Sequence, residues 1–324
     1  MSEVPMGSRD DVLTGGGTGG VTSSPMAFPI PAEELGTVSI FPNGSFEAGS
    51  YQTFVLTYVA GKFGIDDSGS MRVCFRFASD QTRPQFEDPK GPNYTTIEAS
   101  NNAVLTYHYD PKGNVRPWDR TLYIKVVRGF LREGDKITIT FGDRSGGSPG
   151  MRLQTFCEDS YEFHTLIDPI ATYCYQPMPV QPVIKIIPGK PARYLAVAPT
   201  IRAIDESFSV KFKGEDKWGN PSDQCDIQLY PRASHPVQNL PDVISLKPGE
   251  FFGVIDGLSV ADAADLHIDF LDDAGAVLCR TNPIRIEPAP ISRHFWGDLH
   301  GQSEETIGTG SAEAYFAFAR DYAF

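Results

Sequence analysis

Cysteine is scarce: Cys74, Cys157, Cys174, Cys225 and Cys279 are odd in number, far apart and never spaced CxxC. That excludes a disulfide framework and a zinc knuckle. It predicts free thiols, packed as small apolar side chains, in a reducing compartment. Long apolar runs are missing too, and no stretch approaches the ~20 residues a bilayer-spanning helix needs. Met1 to Ala27 has acidic residues and a glycine run but no apolar h-region, so no secretory leader is read there. The expected location is the cytoplasm, with no membrane partner. Positive charge is in deficit: 28 Lys and Arg against 41 Asp and Glu leave a formal net charge of −13. Such a surface repels phosphate backbones, which sets nucleic acid aside as a general partner. One small phosphorylated molecule held at a metal is still compatible with it.

What the sequence has is glycine (31), proline (26) and 40% apolar residues over 324 positions, the composition of short strands joined by tight turns. Residues 1–34 read as a disordered lead. The run Gly15–Gly20 formally contains GxGxxG, but no strand precedes it and no helix follows, so it lacks the context of a dinucleotide site. From 35 to 176 the pattern has period two. Met71, Val73, Phe75 and Phe77 point one way while Arg72 and Arg76 point the other, and Ile137, Ile139 and Phe141 oppose Lys136 and Thr138. Further strands are expected from Tyr51, Ala103 and Thr121. Short alternating strands between Gly/Pro/Asp turns predict an antiparallel β-sandwich.

The Pro-rich stretch from Gln176 to Val183 reads as a stiff connector, and a second strand-rich block occupies 177–290. Phe208, Val210 and Phe212 face inward there, and Leu266–Arg280 reads as a hairpin about Asp273-Ala274-Gly275. The strand followed by D-x-W-G-N-P (Asp216–Pro221) resembles bacterial immunoglobulin-like modules, a likeness of fold that implies no chemistry. The fold class expected is mainly β: two antiparallel sandwiches, the second immunoglobulin-like, followed at 291–324 by the first β/α unit of an incomplete barrel.

That last segment carries the chemistry. A short apolar strand (Phe295, Trp296) leads to Asp298-Leu299-His300 and a polar loop. Ser311 is placed to cap a helix whose apolar face is Ala312, Tyr315, Phe316, Ala319 and Ala323, with Glu313 in the first turn. Residues at the C-terminal end of a barrel strand point into the mouth where barrel enzymes work. His300 would offer a neutral imidazole nitrogen to a metal. Asp298 would ligate directly or orient the imidazole. Such a metal lowers the pKa of a bound water to near 7 and polarises a phosphoryl or carbonyl oxygen. Glu304 and Glu305 read as loop or helix-start charges, and His108, His164, His235, His267 and His294 as structural or rim residues. Gly142–Gly150 reads as a long hairpin loop rather than an anion cradle. Arg116, Trp118 and Arg120 are placed equally well on a substrate cleft or on an ordinary polar surface.

The string F-W-G-D-L-H-G-Q-S-x-E-T (Phe295–Thr306) resembles the opening of DUF3604 proteins, which are similar to the PHP-type (polymerase and histidinol phosphatase) metal-dependent phosphoesterases. Gly64–Phe86, Asp110–Trp118 and Gly142–Phe163 resemble the N-terminal region of one branch of that family. The resemblance implies a divalent metal (Zn, Mn, Fe or Mg), His300 as a ligand with Asp298 in support, and a small-molecule substrate, foremost a phosphate ester. PHP proteins open with H-x-H, both histidines binding metal. Here Gln302 takes the second place, as a contact to metal or to substrate. The chain reads as cut off soon after this motif, and one strand cannot build the site, so this length of chain is expected to be inactive. Two alternatives stand beside the hydrolase of phosphate esters: a binding or scaffold protein whose barrel has lost its metal, and a metallohydrolase of another bond.

Overall fold

Alternation in sequence becomes alternation in burial, strand by strand. In Lys136–Phe141 the residues Ile137, Ile139 and Phe141 are buried and Lys136 is exposed. In Phe54–Ala60 every odd member of the run from Phe54 is buried. The structure, a computed structural model, describes residues 30–298, 300–308 and 310–323. The expected disordered lead 1–34 is ordered at its end, where Ile30 is buried with its N–H and carbonyl bonded to the Gln176 amide and Ala32–Glu34 forms a tight helical turn. The lead up to residue 29, the run Gly15–Gly20, and Leu299, Thr309 and Phe324 lie outside the described residues.

The first block is a sandwich. One layer is a four-stranded sheet in which Phe54–Ala60 pairs with Gly36–Phe41 on one side and Lys136–Phe141 on the other. The facing layer has five strands, in the order Gln176–Pro177, His164–Asp168, Ser70–Phe75, Arg120–Arg128, Val104–Asp110. Phe75, Phe141 and Phe163 meet between the layers with ring centroids 5.7–5.8 Å apart, and Phe54 joins at 5.6 Å from Phe163. Each fully buried ring contributes roughly 1.5–3 kcal/mol relative to exposure. The strand expected to run through Phe77 ends at Phe75. There the chain turns, and the N–H of Phe77 bonds the carbonyl of Pro117.

The connector expected between Gln176 and Val183 is instead part of this first sandwich. Gln176–Pro177 pairs with Leu166 and Ile167, and Met178, Ile184 and Ile186 belong to the first hydrophobic cluster. Prolines, which have no N–H, are tolerated at edge positions where the ladder needs no donor, and that is how this stretch is used. The strand Val183–Ile187 also runs parallel to Ser45–Glu47, as Ile201–Ala203 does to Ile284–Glu287; the other strand pairs among the described residues are antiparallel.

The second cluster begins at Ala196 and lies between the sheet of Arg193–Val197, Phe208–Glu215 and Gly253–Leu258 and the sheet of Ile244–Leu246, Ile227–Ala233, Ile268–Leu271 and Val277–Arg280. Phe208, Val210 and Phe212 face inward as expected, and Phe212 stacks on Phe270 at 5.8 Å. The expected hairpin forms, closed by Ala276 N–H on the Asp272 carboxylate at 2.8 Å, with Gly275 at φ +80°. This is the immunoglobulin-like two-layer arrangement.

The two sandwiches meet at the turn Asp216–Asn220. The Asp216 carboxylate gathers the N–H groups of Trp218, Asn220 and Gly189 and the Asn220 amide. The turn so fixed reaches across: Trp218 Nε1 donates to Ala48 O, Asn220 Nδ2 to Thr155 O, and Cys157 N to Asn220 Oδ1.

Candidate functional site

After the last strand, Ile284–Glu287, the chain leaves the second sandwich, with Arg293 paired to Glu206 at 2.7 Å. The strand expected at Phe295–Trp296 is not formed among the described residues. Both rings are exposed, at 86% and 84%. A strand needs a hydrogen-bonded neighbour, and no described segment pairs with this one.

The three expected site residues do come together, on one exposed loop. Asp298 Oδ1 accepts the N–H of His300 at 2.8 Å, a tight Asx-type turn that fixes their relative position. His300 Nε2 and Gln302 Nε2 are 3.4 Å apart, and Gln302 Oε1 accepts the Thr306 hydroxyl at 3.0 Å. With its oxygen so engaged, Gln302 turns its amide nitrogen towards the imidazole. The loop is then pinned by Ser303, whose carbonyl accepts from Thr306 N and Gly308 N, and by Glu304 N on Gly310 O. Gly301 lets the Tyr315 ring approach: a Cβ on it would fall 2.2 Å from Cζ of Tyr315, so the ring would have to move.

The helix Ala312–Phe318 begins as expected, with Ser311 Oγ accepting from Ala314 N at 3.1 Å and Glu313 in the first turn. It continues as a wider turn over Ala319–Ala323. Its apolar face is not buried as expected: Phe316 is 68% exposed. What holds the segment is its C-terminal end. Lys211 Nζ donates to Arg320 O at 2.5 Å, and Lys213 Nζ to the carbonyls of Tyr322 and Ala323. Cations at a helix C-terminus satisfy carbonyls that have no partner within the helix. The Tyr322 ring lies edge-on to Phe251 at 5.3 Å and Phe252 at 5.8 Å, and stacks with Phe318. Lys213 is itself buried, 3.1 Å from Glu215, which also holds Arg193. Period-two patterning gives no sign of this: it names Phe208, Val210 and Phe212 as the inward face and says nothing of what covers the lysines between and beyond them.

As a metal site the donor set is incomplete. A catalytic metal generally takes three protein ligands. The loop offers one imidazole, one carboxylate already engaged with a main-chain N–H, and an amide presenting its nitrogen. Among the described residues no group of three or more His, Cys, Asp or Glu is placed to hold a metal. The other histidines lie elsewhere. His164 stacks on Trp118 (4.7 Å, 14°) and bonds Glu162 at 2.6 Å, and His267 lies 3.9 Å from Asp269.

Arg144 of the Gly142–Gly150 loop is spent on Tyr51 O at 2.9 Å. The expected hairpin does not form, because Lys136–Phe141 pairs with Phe54–Ala60 and Thr96–Ala99 while Met151–Arg152 pairs with Tyr51–Gln52. Arg120 is spent on Ser79 O, and Arg116 lies over Phe77. All five cysteines are free thiols; Cys74 and Cys225 are buried, but Cys157 and Cys174 are exposed, contrary to the packing expected of every thiol. No helix among the described residues is long and apolar enough to cross a membrane.

No family model matches the chain, and no curated protein matches it. Among solved structures it is similar to FdeC, an Escherichia coli adhesin, at 12% identity and a TM-score of 0.23, covering 79% of this chain and 65% of that one. It is also similar to the Yersinia pseudotuberculosis adhesin InvE, at 8% identity and a TM-score of 0.23, covering 78% and 58%. The chain spans less than two thirds of either structure, and superpositions at that TM-score carry no argument about its activity.

Proposed function

We propose that this chain is the accessory region and first metal-binding motif of a metal-dependent hydrolase acting on a small phosphate ester, with the DUF3604 and PHP-type proteins as its relatives. His300 is the ligand and Asp298 its support. Gln302 contacts metal or substrate, and the remaining ligands come from outside the described residues. The observation that carries this reading is the bond from His300 N to Asp298 Oδ1, 2.8 Å long, on an exposed loop pinned by Gly301 against Tyr315. It pre-sets the Asp-x-His pair and leaves the imidazole accessible to an incoming metal. A divalent metal bound there would supply an activated water and a Lewis acid. The two sandwiches act as the mount, holding the motif through Lys211, Lys213 and the Tyr322 ring. The reading places the protein in the cytoplasm, where its five free thiols stay reduced.

A binding or scaffold role is the second reading. The observation that favours it is Gln302, which presents an amide nitrogen, not a lone pair, to His300.

The experiment is metal content by elemental analysis with p-nitrophenyl phosphate turnover, on the longest form of the protein, wild type beside His300→Ala. Bound metal and phosphate release that both fall in the variant support the hydrolase. A folded wild type that stays metal-free after metal is supplied, with no turnover, leaves the scaffold reading.

A further inference from the structure

The outer face of the five-stranded sheet in the first sandwich carries a second feature, independent of the Asp298–His300 loop. Register places Arg72 opposite Tyr123 and Ser70 opposite Lys125, with His108 opposite Tyr123 on the next strand. Side chains on alternate positions share a face, so Arg72, Lys125, Tyr123 and His108 are neighbours there. Tyr175 folds over them: its ring lies 3.7 Å from the Arg72 guanidinium and its hydroxyl 2.6 Å from Ser70 Oγ. Burial pushes the Tyr175 hydroxyl up to about 12, so it stays protonated at neutral pH.

The charges on this face do not balance. The chain carries 41 acidic residues against 28 Lys and Arg, and Arg76, Arg152 and Arg280 each meet a carboxylate. Among the described residues neither Arg72 nor Lys125 does, although both are half-buried. Arg72 has only Asn114 Oδ1 at 3.4 Å, and its Nε is buried with no hydrogen-bond partner. The carboxylate nearest in register is Asp168, opposite Ser70, and it is consumed by Thr172 N, Thr172 Oγ1 and Tyr173 N. Asp110, at the end of the His108 strand, is turned to Lys112 N. A half-buried cation without a counter-charge is costly, and this acidic chain places none beside these two.

We propose that Arg72 and Lys125 form a binding site for an oxyanion carried by a small molecule. The guanidinium, held flat by Tyr175, presents a planar donor edge, and Lys125 a point charge beside it. The rings of Tyr123 and His108, 5.2 Å apart, floor the site for the body of the ligand.

The test is calorimetric titration of this chain with phosphate, sulfate and acetate at matched ionic strength, on wild type, Lys125→Gln and Arg72→Gln. Saturable binding in the wild type, about tenfold weaker in each variant as for loss of one charged hydrogen bond, is the expected result. The arm that binds most tightly tells a tetrahedral anion from a carboxylate. No saturable binding of any of the three overturns the proposal, and so does equal affinity in Lys125→Gln, a half-buried position that carries the test if Arg72→Gln does not fold. The metal assay on His300→Ala is unaffected by either outcome.

Discussion

The indole of Trp218 lies where a side chain on Gly49 would have to be: a Cβ on Gly49 would fall 2.6 Å from Cε2, and the indole N–H donates to the carbonyl of Ala48 at 3.1 Å. A tryptophan of the second sandwich is thus fitted to a notch in the first. Gly49 also sits at φ +66°, which disfavours a side chain on its own account. Gly49→Val should therefore lower the unfolding midpoint and separate the melting of the two sandwiches. Trp218→Ala should cost roughly 2 kcal/mol, less than a fully buried tryptophan because the ring is partly exposed. Scanning calorimetry reads both; a Gly49→Val protein that melts like the wild type would sink the notch.

The same junction should respond to acid. Burial by itself raises the Asp216 carboxyl, but the Asn220 amide and the N–H groups of Gly189, Asn220 and Trp218 outweigh it and hold it below the ordinary 3.8. Asp269 is lowered likewise, by Arg280. A carboxyl whose pKa is depressed by folding stabilises the fold above its unfolded value, and that stability is lost as pH falls from there through the folded value. Urea midpoints should be flat near neutrality and drop below about pH 4, and Asp216→Asn should flatten that drop. An unchanged acid limb in Asp216→Asn would assign it to other groups.

Lys213 links the second sandwich to the helix end. Lys213→Met keeps the length but leaves Glu215 with Arg193 and the last carbonyls without this ammonium. Breaking one side of a buried pair should cost about 3 kcal/mol. Hydrogen exchange at Ala312–Ala323 should speed up, while the five-stranded sheet of the first sandwich keeps its protection. Unchanged exchange in the helix would mean that Lys211 and the Tyr322 contacts hold it without Lys213.

Thiol reactivity should separate the cysteines. Cys174 is exposed; Cys157 is exposed as a residue, but burial of its thiol and the neighbouring Asp216, Asp159 and Asp223 push it up to about 12. Burial drives Cys279 to about 12 and Cys74 to about 11. The thiolate is the reactive form, so one rapid equivalent of Ellman's reagent should react at pH 8, at Cys174, and the others on unfolding. Two rapid equivalents that persist in Cys174→Ser would contradict this assignment.

Much of the fold was legible in the residues alone. Alternation in Lys136–Phe141 and Phe208–Phe212 named the inward side chains, because one face of each strand must leave water. Ser311 named the helix start, because a hydroxyl there satisfies an N–H the helix cannot. Asp298, His300 and Gln302 fall on one loop because they are separated by single residues.

Tertiary structure decided what covers the other faces. Lys213 lies on the polar face by pattern, yet it is buried under the helix end. Gln176–Val183 reads as a connector, yet Met178 within it packs in the first core, as do Ile184 and Ile186 just after it. Phe295 and Trp296 read as a strand and remain exposed. The period of a sequence says which side of a strand is apolar; whether a side is covered depends on segments a hundred residues away, and local sequence carries no trace of them.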